Sequence, residues 1–155
     1  MQAKSALDAK ELPEASGSNY PQPFRGRVAG RHRRRLGDAF GLKNFGVNLT
    51  RLDPGSESSM RHWHARQDEL VYVLEGEVTL VTDAGRQKLG PGMTAGFAAG
   101  SGDAHQLVNE SGRPAWYLEI GDRTAGDEVT YSDVDMAARS IAGQWVFLHK
   151  DCKPY

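Results

Sequence analysis

Two histidines flank one tryptophan in His62-Trp63-His64. On an extended strand, residues two apart point to one face about 6 to 7 Å apart, so the two imidazoles stand side by side and Trp63 opposes them. Residues 65–68 read as a four-residue hairpin loop, after which Glu69 begins a returning strand level with the histidines. A third imidazole comes from His105, which shares a strand face with Leu107 and Asn109. A lone histidine on a strand is ordinarily a packed or surface residue. Three imidazoles and a carboxylate at workable spacing instead suit one divalent transition metal ion per chain, with ligand distances of about 2.0 to 2.2 Å. Iron, manganese, nickel, zinc and copper all accept this set. An octahedral ion would keep two positions for water, substrate or dioxygen. Cys152 is the only cysteine, which excludes an internal disulfide and any cysteine-rich zinc or iron–sulfur site.

The elements that must position these residues have a period of two. Phe45, Val47 and Leu49 alternate with Gly46, Asn48 and Thr50; Leu70, Tyr72 and Leu74 with Val71, Val73 and Glu75; Trp116, Leu118 and Ile120 with Tyr117 and Glu119. On the last of these strands the apolar set is expected to face the core and Tyr117 and Glu119 to face away. Turn residues separate the strands, as in Asp53-Pro54-Gly55 and Gly90-Pro91-Gly92. Short strands at this spacing predict an all-β antiparallel sandwich or barrel. One short C-terminal helix is expected over 133–139, capped by Ser132 or Asp133, and a last strand at 145–148. Residues 1–24 are polar and proline-bearing and read as an N-terminal arm; residues 25–155 form one domain.

Composition narrows the partners. Lys+Arg 19 against Asp+Glu 20 leaves no global field for nucleic acid or an anionic membrane. No stretch approaches a membrane span, and the N-terminus shows no apolar signal region, so a cytoplasmic location is expected. Six arginines fall within residues 25–35. They are expected to pair with the acidic C-terminal part (Asp122, Asp127, Glu128, Asp133, Asp135), with an anion-binding patch or a fold over the barrel mouth as the alternatives. Sheet edges left open by a small barrel make a homodimer the expected assembly.

Residues 55–76 resemble the first motif of the cupin superfamily: His-x-His, four residues, Glu69, six residues, Gly76. Gly55 stands one residue farther from His62 than that motif has it. Residues 85–109 resemble the second motif through Gly100, His105 and Asn109, with Ala98 where the motif has proline. The likeness runs over roughly residues 19–155, through Leu118–Arg123 and the closing Lys-Pro-Tyr, to a bacterial single-domain group. Many of its members are labelled only as cupin-domain proteins or as sugar-phosphate isomerases by inference. The resemblance implies a jelly-roll β-barrel (double-stranded β-helix) with the metal in its mouth, held by His62, His64, Glu69 and His105. It implies a small-molecule substrate and favours an isomerase-like enzyme in which the metal is a Lewis acid. A metal-dependent dioxygenase or oxidase and a non-catalytic small-molecule binder are the alternatives. Glu75 is the candidate base, with Glu57 second, and Tyr72 the candidate acid, with Tyr117 second.

Overall fold

The computed structural model describes residues 5–155; the first four residues of the expected arm lie outside the described residues. Among the described residues thirteen strands run in order: β1 (Ala15–Ser16), β2 (Arg31–Arg35), β3 (Phe45–Leu52), β4 (His62–His64), β5 (Glu69–Glu75), β6 (Val78–Thr82), β7 (Gly85–Leu89), β8 (Thr94–Phe97), β9 (Gln106–Val108), β10 (Ala115–Asp122), β11 (Glu128–Tyr131), β12 (Met136–Ile141) and β13 (Gln144–Leu148). They form a six-stranded sheet ordered β1-β2-β3-β10-β5-β8, a four-stranded sheet β13-β12-β11-β4 and a three-stranded sheet β7-β6-β9. All the pairings are antiparallel. The two smaller sheets meet at one bridge, where His62 N–H donates to His105 O (3.1 Å) and His105 N–H donates to His62 O (2.8 Å).

The expected closed barrel is therefore corrected to a jelly roll whose sheets do not close into a barrel. Apart from that bridge, apolar packing holds the layers together. Leu52, Val71, Val73, Ala115 and Tyr117 of the large sheet meet Val78, Leu80, Leu89 and Leu107 of the small one. Each such fully buried aliphatic contributes up to about 1.5–3 kcal/mol. A second cluster sets Val129, Tyr131, Met136 and Ala138 against Tyr20 and Val28 of the N-terminal segment.

Two local expectations change. Residues 133–139 hold no helix: a turn leads into β12, where Met136 and Ala138 are buried and Arg139 points out. Seven residues are too few for propensity to outweigh pairing with β11 and β13. The short helices lie instead near the N-terminus, α1 (Gln22–Arg25) and α2 (Leu36–Ala39). Residues 65–68 are not a hairpin loop, because β4 pairs with β11 while β5 pairs with β10 and β8. The segment crosses between layers, and Glu69 meets the histidines from the opposite sheet.

Gly76, the last residue of the first motif, shows what the β5–β6 corner requires. Its φ is +79°, and a Cβ there would lie 2.8 Å from Ala115 Cα and from Pro114 O. Gly76→Ala is expected to destabilise by at least ~1–2 kcal/mol from the left-handed backbone alone, with the β10 clash in addition. An unchanged urea midpoint would contradict this.

Candidate metal centre

Four side chains converge between the layers. Glu69 Oε2 lies 2.8 Å from His105 Nε2, 3.4 Å from His64 Nε2 and 3.5 Å from His62 Nε2. Donors about 2.1 Å from a shared ion sit about 3.0 Å apart at right angles and about 3.4 Å apart at tetrahedral angles. The His64 separation matches the tetrahedral value, the His62 separation lies 0.1 Å above it and the His105 separation 0.2 Å below the right-angle value. His62, Glu69 and His105 form the compact group, with ligand atoms all within 4.8 Å of one another; His64 joins through Glu69.

The far nitrogens show which face of each ring is free. His62 Nδ1–H donates to the Met60 carbonyl (2.9 Å), and His64 Nδ1–H donates to Asp127 Oδ2 (2.5 Å). Both rings therefore direct Nε2 at the common point. His105 Nδ1 is buried without a partner; Phe97 orients that ring by stacking on it at 3.5 Å and 2°. Asp127 is fully buried and also accepts from the Arg66 amide (2.8 Å), so one carboxylate fixes both the His64 ring and the crossing segment. Sequence reasoning missed it. Asp127→Asn is expected to lower metal affinity about 10- to 100-fold, as outer hydrogen-bond changes typically do, read by chelator competition.

The electrostatics favour a cation here. Burial would raise the Glu69 carboxyl, yet hydrogen bonds from the three imidazoles hold it well below the usual range. Burial would lower the His64 imidazolium, but Glu69 and Asp127 hold it up at about 9. His105 is pushed down, by burial first. In the metal-free protein the His64 proton stabilises the fold fully below about 6.5, its free value, and that contribution fades as pH rises through about 9. Metal loading must expel that proton. Apparent affinity is thus expected to rise between about pH 6 and 8, at most about tenfold per unit for each proton released. Chelator competition across that range checks it, and a flat profile would count against it.

A cavity of about 260 Å³ opens beside the cluster and is lined by Arg31, Arg33, Tyr117, Glu119, Tyr131 and Trp145 among others. Tyr117 and Glu119 face inward, against expectation. Tyr117 is 1 % exposed, and its hydroxyl has no protein partner. The outward face of β10 carries Trp116, over which the Arg34 and Arg51 guanidiniums lie at 5.6 and 5.9 Å, so this large apolar residue is covered from outside. Tyr72 and Glu75, the candidate acid and base, are corrected: Tyr72 is 40 % exposed on the outer face of β5, Glu75 is exposed at the strand end, and neither lines the cavity. Glu57 binds Arg27 outside it. The arginine cluster is corrected too. Arg27 pairs with Glu57, Arg34 with Glu14 and Arg35 with Asp38, not with the C-terminal acids. Asn109 of the second motif is structural: its Nδ2 donates to the Leu52 and Arg113 carbonyls (2.8 Å each), and its Oδ1 accepts from the Ser111 amide and hydroxyl.

Residues 48–121 match the cupin domain family model. A cupin-superfamily sugar phosphate isomerase from Silicibacter pomeroyi is 44% identical, with 97% of this chain and 96% of that chain covered and a TM-score of 0.93. The chain belongs to the cupin superfamily. This cupin is also similar to a proposed sugar phosphate isomerase from Acidithiobacillus ferrooxidans, at 32% identity over 78% of this chain and 77% of that one, with a TM-score of 0.72. A polyketide cyclase from Streptomyces resistomycificus shares the fold, at 20% identity over 77% of this chain and 79% of that one, with a TM-score of 0.64. No curated protein matches the cupin at a significant level. Among the described residues no helix is long and apolar enough to cross a membrane.

Proposed function

We propose that this cupin is a metal-dependent isomerase of a small sugar phosphate. The observation that carries the reading is one cavity lined by the imidazole–carboxylate cluster, the Tyr117 phenol and the Glu119 carboxylate. An aldose–ketose interconversion moves a proton between neighbouring carbons with no net oxidation, so it needs a base, an acid and polarisation of a carbonyl. A divalent ion held by His62, Glu69 and His105, with His64, would supply that polarisation as a Lewis acid.

The protein's own groups supply the rest. Glu119 faces the cavity from β10, and the Thr50 hydroxyl donates to its Oε2 (3.2 Å), which fixes the carboxylate without neutralising it. It is the group that would take the carbon-bound proton and return it one carbon along. Burial, chiefly, pushes the Tyr117 phenol up, so it stays protonated at neutral pH and can donate to a substrate oxygen. The likeness to the Silicibacter and Acidithiobacillus sugar phosphate isomerases supports the substrate class.

The test is an anaerobic assay of metal-loaded protein on a panel of aldose and ketose phosphates in deuterium oxide. Interconversion with deuterium incorporated next to the carbonyl is the expected result. Turnover that requires dioxygen would instead identify an oxygenase.

A further inference from the structure

Two guanidiniums in the cavity take no part in the chemistry above. β2 alternates: His32 and Arg34 face the outer side, where Glu14 pairs with both, while Arg31 and Arg33 face inward. The register explains this, because Arg31 pairs with Leu52 and Arg33 with Thr50, both inward residues of β3. Arg31 is 7 % exposed. Its Nη1 donates to the Ser58 carbonyl, while its Nε is buried with no partner. Among the described residues Arg31 forms no ion pair, and Arg33 has only a loose one, Nε to Glu119 Oε2 at 3.9 Å.

A buried cation without a counter-charge is costly. Burial lowers Arg31 from its ordinary value, and the neighbouring Arg33 adds to that. The cost is removed when an anion enters. Glu119 offsets one of the two inward positive charges, so the choice of anion rests on acceptors as well as charge: a phosphate monoester, with a second pKa of about 6, presents three strong acceptor oxygens where a carboxylate presents two. Planar guanidinium donors also match phosphate oxygens in pairs.

We infer that Arg31 and Arg33 form an anion subsite that holds the phosphate of the substrate, in the same cavity as the imidazole cluster but separate from it. Only the assignment of the anion to a sugar rests on the isomerase reading; the subsite itself rests on the two arginines. The subsite would hold one end of the molecule, leaving the other end to the metal cluster, Tyr117 and Glu119.

Calorimetric titration of the intact metal-loaded protein with inorganic phosphate tests it. Saturable one-to-one binding is expected, and it should persist in wild-type protein stripped of metal by a chelator. Arg31→Gln and Arg33→Gln should each weaken binding about 10- to 100-fold with metal content unchanged. Arg31 also holds the Ser58 carbonyl, so if its variant does not fold, Arg33→Gln carries the comparison. No saturable binding to the wild type, binding lost with the metal, full binding by Arg33→Gln, or acetate competing as well as phosphate would each overturn the subsite. Phosphate binding as described, in a protein that turns over no sugar phosphate, keeps the subsite and removes the isomerase reading.

Discussion

His105→Ala is expected to give a folded protein that retains no stoichiometric metal. His105 supplies the nitrogen nearest Glu69, 2.8 Å away, and Phe97 stacks on the ring to fix its direction. Alanine deletes the donor while keeping the backbone bonds that residue 105 makes to His62. The loss should exceed the roughly 10- to 100-fold that follows from disturbing outer hydrogen bonds, because a ligand itself is gone. His62→Ala should behave alike. His64→Ala should be milder, since His64 stands outside the compact group. Elemental analysis after dialysis, with circular dichroism for folding, reads the result. Wild-type metal content in all three variants would end the metal reading.

Glu119→Gln is expected to lower kcat by about 10²- to 10⁴-fold, the usual contribution of a positioned base, with metal content unchanged. Glutamine keeps the size and can still accept from the Thr50 hydroxyl, so a purely structural role would leave the rate nearly intact. Tyr117→Phe should act in the same direction. Tyr72→Phe and Glu75→Gln serve as controls near wild-type rate, because both residues lie outside the cavity. Full activity of Glu119→Gln on the assigned substrate would remove it as the base.

The four converging side chains were legible because each sits in a local pattern: His-x-His by strand parity, Glu69 and His105 by spacing within motifs. What surrounds them was not. Asp127 lies far along the chain from His64, and only the pairing of β4 with β11 brings it there. By sequence Tyr117 and Glu119 read as outward, because size and apolarity ordinarily mark the inner face. A central strand whose outer tryptophan, Trp116, is roofed by two arginines breaks that rule. The all-β antiparallel class followed from strand length and turn residues and the jelly roll from the motif resemblance, but the arrangement of the sheet edges did not, since period-two patterns specify faces and not neighbours. The C-terminal helix failed for a related reason: Ala137 and Ala138 suit a helix, while the partners that made a strand of them lie on either side in sequence.

The bridge between His62 and His105 restricts how this centre can be repurposed. Their backbones fasten the four-stranded sheet to the three-stranded one, while their rings face Glu69. Any residue placed at either position inherits an extended backbone and a fixed direction for its Cβ. Glu69 and His64 are held extended as well, by Gly121 and Phe97 and by Val129, but within single sheets, so only the first pair couples the centre to the joint between sheets. The amide hydrogens of the fixed pair, bonded across the joint, provide a local gauge of how tightly the centre holds the sheets together.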